Sequence, residues 1–317
     1  VLVRPIITSI CGTDYHVYSW DDWSAARVRP PRIMGHEFVG EVVQVGEDVS
    51  ELAVGDIVSG ESHRVCGKCL QCRTGQGHVC ASTRILGVDT DGCYAERLVV
   101  SSSGLWRNPP GMPLGMAAIQ DPLGNAVHAV LADTIAGQSC AVLGCGPIGV
   151  MAVAVARACG ATTIIGTDTK PYRLDLARKL GADQTINVLE EDALKVILEV
   201  LPGGADVVLE MSGAPSSVQT AFKAARRGGR ISLMGLPSRP VELDLAEDLI
   251  MKGLTIHCIV GRRLYGTWAT MNALLSSGRL DISPVITHEM PWTEYAAAMD
   301  LMGEGRCGKV LLHMSQT

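Results

Sequence analysis

Two textures of hydrophobicity divide this chain. Up to about Pro122 the apolar residues come in short alternating runs broken by turns. Val39-Gly-Glu-Val-Val-Gln-Val45 alternates as a half-buried strand does, and Gly46-Glu47-Asp48 follows as a turn. Gly55-Asp56-Ile57-Val58-Ser59 repeats the pattern, so this part predicts a mostly-β domain. From about Ala126 strands and helices alternate. Cys140–Leu143 reads as an apolar strand, Gly144 as a turn, and an Ala/Val-rich helix runs to about Cys159. Thr163–Thr167 is the next strand, and Tyr172–Leu180 is an amphipathic helix closed by Gly181. Asp206–Glu210 and Arg230–Met234 are later strands with a helix between them. This βαβ rhythm predicts a doubly wound parallel sheet, so the fold class is α/β plus mostly-β. Helical stretches near 271–276 and 295–302 precede a closing strand at 309–312. The expected division is 1–125 with 268–317 in one domain and 126–267 in the other.

One stretch tests this division. Thr134 to Ala156 carries no charged residue and is long enough to span a bilayer. Its Gly-Cys-Gly-Pro centre and polar start at Gly137-Gln138-Ser139 favour a buried strand turning into a buried helix. With 317 residues, two domains are the prior. The chain is 47% hydrophobic but has only 2 Phe, so Val, Ala, Leu, Ile and Met must fill the core. A net charge of −6 argues against nucleic acid or an anionic membrane as the main partner. The 11 cysteines lack the even framework of a small secreted scaffold, which favours a reducing cytoplasm. The start, VLVRPIITSICG, has neither a Met nor a leader layout and reads as the interior of a strand.

Cys66, Cys69, Cys72 and Cys80 form two consecutive C-x2-C steps and a fourth cysteine. A short loop of this kind wraps one tetrahedral zinc with four thiolates and leaves no open position; the competing reading is a disulfide cluster. Gly144-Cys-Gly146-Pro-Ile148-Gly149 follows a strand and opens a helix, and Asp168 lies 19 residues beyond Gly149 at the end of the next strand. That is the context of a dinucleotide site: turn, close approach to pyrophosphate, helix packing, and an acid for the adenosine ribose. Asp168 would repel a 2′-phosphate, favouring NAD over NADP, while Lys170 argues the other way. Arg173 either reaches the ribose or is a solvated helix residue.

Cys11-Gly-Thr13-Asp-Tyr-His16 and Gly35-His36-Glu37 offer a thiolate and an imidazole suited to a catalytic zinc with an exchangeable position. Asp121, in Gln-Asp-Pro-Leu-Gly-Asn, is the candidate further ligand, or else a helix N-cap. Cys93 breaks the spacing of the lobe and is assigned to the core.

Together these motifs resemble the zinc-containing medium-chain dehydrogenases. Tyr18-Ser-Trp20-Asp-Asp-Trp23, Asp121-Pro-Leu-Gly-Asn-Ala-Val-His128, Glu210-Met-Ser-Gly-Ala-Pro215, Gly261-Arg262 and Thr267-Trp268 point to members that act on L-threonine. The resemblance covers essentially the whole chain. It implies a GroES-like catalytic domain, a Rossmann domain, and a homotetramer. It also implies strand-forming residues ahead of Val1. By the same resemblance, Cys11, His36 and Glu37 belong to the catalytic zinc, and Thr13 and His16 to a proton relay. Asp121 is ligand or relay support. Ile148, Asp168 and Arg173, with backbone near Gly235 and Ile259, belong to the NAD site. Arg263 and Gly266 stand where relatives often have acids, and His63 occupies a position used near the substrate, or is a surface-loop residue. The implied activity is oxidation of L-threonine at its 3-hydroxyl to 2-amino-3-oxobutanoate. A polyol or secondary-alcohol dehydrogenase is the alternative within the family. A catalytically silent, NAD-binding zinc protein is the alternative outside it.

Overall fold

The computed structural model describes residues 1–314. Along the chain come β1 (Leu2–Ser9), α1 (Gly12–Ser19), α2 (Asp22–Arg27), β2 (Glu37–Gln44), β3 (Ile57–Gly60), β4 (His63–Arg64), α3 (Leu70–Arg73), β5 (Arg84–Ile85), β6 (Leu98–Val99), β7 (Leu105–Arg107), α4 (Leu114–Ala118) and α5 (Gln120–Val130). Then follow β8 (Cys140–Leu143), α6 (Pro147–Ala158), β9 (Ile164–Asp168), α7 (Pro171–Lys179), β10 (Gln184–Asn187), α8 (Ala193–Val200), β11 (Ala205–Glu210), α9 (Pro215–Ala224), β12 (Ala225–Leu233) and β13 (Thr255–Cys258). The chain closes with α10 (Gly266–Ser276), β14 (Ile286–Pro291), α11 (Tyr295–Gly303) and β15 (Lys309–His313).

Two compact units result. The first comprises residues 1–124, 263–276 and 286 onward, built on a sheet of order β14-β15-β1-β2-β3-β7 with β6 also on β1. Its inner face buries Val3, Phe38, Val42, Val58 and Leu98, the alternating positions of these strands. Cys93 belongs to this core, as the sequence suggests, and burial pushes its thiol up. Ile10, Ala298, Met299, Val310 and Leu312 form a second cluster beneath α11. β1 lies antiparallel between β2 and β15, with Thr8 opposite both Phe38 and Leu312. The first and last strands thus frame the turn into α1, where Cys11 sits.

The second unit comprises 125–262 and 277–285, with a parallel sheet of order β10-β9-β8-β11-β12-β13. Every residue of β8 is buried, and so is α6 from Gly149 to Ala156. That explains the charge-free stretch: a helix apolar all round is one packed on all sides. The boundary expected at 268 falls instead at 263, and Ser277–Val285 joins the second unit. Ile282 and Val285 are fully buried, and the turn at 283–285 packs on α6 and α7, an apolar anchor too short to show periodicity.

Candidate active site

The four lobe cysteines come together at the start and end of α3 and the turn before Cys80. Their sulfurs lie within 4.8 Å of one another, and all four are free thiols rather than disulfides. Backbone amides donate to sulfur: Cys66 N to Cys80 Sγ at 3.4 Å, Cys69 N to Cys66 Sγ at 3.4 Å, and Ser82 N to Cys80 Sγ at 3.3 Å. Such donors favour thiolate. Backbone N–H groups of Cys72 and Ala81 bring the Cys69 thiol down to about 6, while burial and the neighbouring thiols push Cys72 up. Four convergent sulfurs solvated by amides fit a zinc with a filled tetrahedron.

A second group of metal-ligating side chains is Cys11, His36 and Glu37, whose ligand atoms also lie within 4.8 Å of one another. Cys11 is the N-cap of α1; His36 and Glu37 enter β2. Asp14, one turn into α1, ties the two segments. Its Oδ2 accepts from Cys11 N at 2.9 Å and Tyr94 Oη at 3.1 Å, and its Oδ1 lies 3.4 Å from His36 Nδ1. Burial works against the charges here, yet Asp14 and Cys11 hold His36 well above its usual range, and His36 and these donors hold Asp14 below its own. His36 Nδ1 is buried without a hydrogen bond of good geometry. A ring whose Nδ1 faces a carboxylate offers Nε2 to a cation, and a metal satisfies this set better than a proton does. Glu37 is paired with the fully buried Lys309 at 2.5 Å, and Lys309 also donates to Ile10 O at 2.6 Å. Burial alone would lower Lys309; Glu37 beside it raises it.

Asp121 does not join this trio. It lies inside the first turn of α5 rather than at its N-cap, buried, with Oδ1 accepting from Ser62 N at 3.0 Å. Thr13 and His16 share one face of α1, Thr13 half-buried and His16 exposed. Trp20, in the left-handed region at φ 53°, ends α1 and folds the next residue back. Asp21 Oδ2 then meets His16 Nδ1 at 2.6 Å, and Asp21 Oδ1 caps α2 through Ser24 N at 2.9 Å. Tyr18, Trp20 and Trp23 are all exposed. His63 is half-buried beside Glu61, its N–H donating to Glu61 Oε1 at 2.9 Å, and Trp268 Nε1 donates to Glu61 Oε2 at 2.8 Å.

In the second unit, Gly144 turns at φ 101° after β8. A Cβ on Gly149 would lie 1.9 Å from Gly144 O, so only glycine fits there. Gly146 is the N-cap of α6 without a side-chain cap, followed by Pro147, and a Cβ on Gly146 would meet nothing. The first-turn amides of α6 are therefore left to a ligand, and an anion suits them. Beside them lies a cavity of about 720 Å³, lined among others by Gly144, Gly146, Asp168, Arg173, Met211 and Ser217. Asp168 is oriented by three backbone donors: Cys145 N to Oδ2 at 3.0 Å, and Thr169 N and Lys170 N to Oδ1 at 2.8 and 3.0 Å. One acceptor position on Oδ2 remains for a hydroxyl. Arg173 Nη1 is 3.8 Å from that oxygen, and its buried Nε lacks a partner. Both fit a ribose and its phosphate. Ile148, Gly235 and Ile259 do not line this cavity. Gly235 follows β12 and approaches so closely that a Cβ there would sit 2.1 Å from Gly213 N. Ile259 follows β13, bonded to Leu233 O at 2.9 Å.

Known proteins are similar to this chain in sequence and in fold. Residues 1–110 match the alcohol dehydrogenase GroES-like domain, and residues 147–277 match the zinc-binding dehydrogenase domain. An L-threonine 3-dehydrogenase of Bacillus licheniformis is 52% identical over 98% of this chain and 90% of its own length. The chain belongs to the zinc-containing medium-chain dehydrogenases. Within that family an L-threonine 3-dehydrogenase of Pyrococcus furiosus is 48% identical over the same shares of the two chains, 98% and 90%. Among solved structures, an alcohol dehydrogenase from Thermus sp. ATN1 superposes with a TM-score of 0.91 at 33% identity, covering 99% of this chain and 92% of its own. The 2R,3R-butanediol dehydrogenase of Bacillus subtilis superposes at 0.88 and 25%, covering 99% and 92%.

Sequence reasoning missed Asp14, Tyr94, Lys309 and Asp21. Asp14 had a signal, an acid three residues past the N-cap Cys11. Asp21 had one as well, as the cap ahead of Asp22–Arg27. Lys309 lies 272 positions from Glu37 and had none.

Proposed function

We infer that this protein oxidises L-threonine at its 3-hydroxyl, giving 2-amino-3-oxobutanoate, NADH and a proton. The observation that carries the reading is near-full-length identity of about half to several L-threonine 3-dehydrogenases, joined to a chain that supplies both a Cys–His–Glu group and a dinucleotide cradle. Zinc held by Cys11, His36 and Glu37 would supply a Lewis acid toward an alcohol oxygen, and NAD held by Gly144, Gly146, Gly149, Asp168 and Arg173 a hydride acceptor.

The remaining work belongs to the chain. Asp14 and Lys309 fix the two ligands of β2, so the metal-binding groups need no rearrangement to act. Thr13 and His16 carry the hydroxyl proton outward, from a half-buried hydroxyl to an imidazole open to water. Asp121 is relay support, held by Ser62. Ile148, Gly235 and Ile259 complete the NAD site from the α6 turn and the ends of β12 and β13. The four-cysteine lobe takes a second, structural zinc. Tyr18–Trp23 and His63 shape the pocket for the ammonium and carboxylate. The acid such an ammonium wants is absent at Arg263 and Gly266, and this favours the second reading, a polyol or secondary-alcohol dehydrogenase.

The protein acts as a homotetramer in a reducing cytoplasm in this reading. β13 is an edge strand, and Leu236, Ile250, Met251 and Val260 near it are exposed, an apolar margin suited to another copy. Sedimentation checks this. Among the described residues no helix is long and apolar enough to cross a membrane. NADH absorbance with L-threonine, 2-butanol, sorbitol and 2,3-butanediol tests the function. Activity confined to L-threonine is expected; a preference for sorbitol moves the assignment to the second reading. Zinc analysis separates both from the silent protein, which would hold one zinc or none rather than two per chain.

A further inference from the structure

We propose that Asp21 is a positioning residue for proton release, forming with His16 a dyad that fixes which ring nitrogen takes the proton. The proposal rests on the reading of His16 as the outer base of the relay. Its observation is the 2.6 Å contact between Asp21 Oδ2 and His16 Nδ1, with Asp21 Oδ1 held by Ser24 N at 2.9 Å. Each carboxylate oxygen has its own partner, so the group cannot rotate away from the ring. The left-handed Trp20 directs Asp21 back over the last turn of α1, and Asp21 N donates to His16 O at 3.4 Å. The ring is steadied by Trp23, with centroids 6.3 Å apart, and Arg27 lies over Trp23 at 5.7 Å. His16 is therefore held in place although its side chain is 58% exposed.

The chemistry follows from the donor inventory. The Ser24 amide, and then His16, lower the Asp21 pKa, so it is ionised at neutral pH and only accepts. The proton between Nδ1 and Oδ2 then belongs to the ring, leaving the Nε2 lone pair to receive the proton leaving the substrate hydroxyl. The resulting imidazolium stays paired with Asp21, and Nε2 then gives its proton to bulk water. No other electron pair or co-reactant is needed. The packed elements α2 and α11 also carry Asp22, Arg27 and Asp300, but among the described residues Asp21 is the ion-pair partner of His16.

Asp21 also caps α2, so the test must separate the two roles. Asn and Ser are both good N-caps. Asp21→Asn and Asp21→Ser in the full chain keep the cap while removing the charge or the contact. We expect each to lower kcat about tenfold, a modest share of a general base's usual effect. KM for NAD should stay within about twofold, with both zincs retained. In a His16→Asn background the same changes should lower kcat no further, because a residue acting through another loses its effect with it. Wild-type kcat in Asp21→Asn and Asp21→Ser while His16→Asn is impaired overturns the dyad. So does a full additive loss in the double variants, or a loss of affinity rather than turnover. Wild-type kcat in His16→Asn alone overturns the relay reading itself, and the dyad with it.

Discussion

A carboxylate at the end of a Rossmann strand is defined by what it has left to accept. Asp168 spends three acceptor positions on Cys145, Thr169 and Lys170 amides, and one faces the cavity beside Arg173. A 2′-phosphate would bring a second anion against it. Asp168→Ser is expected to raise kcat/KM for NADP at least about tenfold while lowering it for NAD; wild-type use of both cofactors would show that the position does not discriminate. Lys309 poses the opposite case, a cation with nowhere to go. In metal-free protein Lys309→Met leaves Glu37 buried and unpaired, which should cost about 3–5 kcal/mol in urea unfolding. A loss under about 1 kcal/mol would mean that Glu37 finds another partner. The two residues also mark how far sequence reading reaches. Asp168 was legible because one βαβ unit fixes its distance from the glycines. Lys309 was not, because its partner lies 272 positions away and nothing local marks a lysine as buried. Asp121 was ambiguous for a third reason: Asp-Pro, though read as a site, is also a common helix start, and only the fold supplies the Ser62 amide that engages it.

Among elements, those whose chemistry is local were readable. The cysteine lobe is a loop around four sulfurs, so its spacing states its purpose. Cys69→Ser is expected to reduce zinc from two per chain to one and lower the melting temperature, with the Cys11 group still metallated. Unchanged zinc and melting behaviour would refute a structural lobe. The strand–turn–helix from β8 to α6 was equally clear, since contact distances demand glycine at 144 and 149 and Gly146 leaves the helix start open. Gly149→Ala puts a methyl 1.9 Å from Gly144 O, and titration should show NADH affinity reduced about a hundredfold. Retained affinity would mean that the turn can open without harm. Boundaries were less readable. The sequence ends the nucleotide-binding part near 267, but Ser277–Val285 returns to it with three buried aliphatic residues, a patch too brief to carry a period.

Over the whole molecule, specificity is a question for the pocket. Any secondary alcohol can present an oxygen to a metal, so threonine must be chosen by groups that hold its ammonium and carboxylate. A site made to pair charged groups rejects analogues lacking them far more than an apolar pocket rejects a missing methylene. We expect kcat/KM for L-threonine to exceed that for 2-butanol by at least about a thousandfold; comparable values would reassign the substrate while leaving fold and zincs untouched. The two units also differ in how their chain is laid out. The second is nearly contiguous, whereas the sheet of the first is completed by β15, which pairs with β1 and supplies Lys309 to Glu37. On the ribosome this inverts the usual order. The stretch from β1 to β7 is made before β15 and must wait with β1 open along the edge that β15 covers, while the middle of the chain can already fold. During that interval Cys11, His36 and Glu37 lack the lysine that neutralises their acid. Synthesis of β15 is then the event that closes the catalytic unit, and a nascent chain arrested before Lys309 would offer an exposed strand edge to chaperones or to its neighbours on the same message.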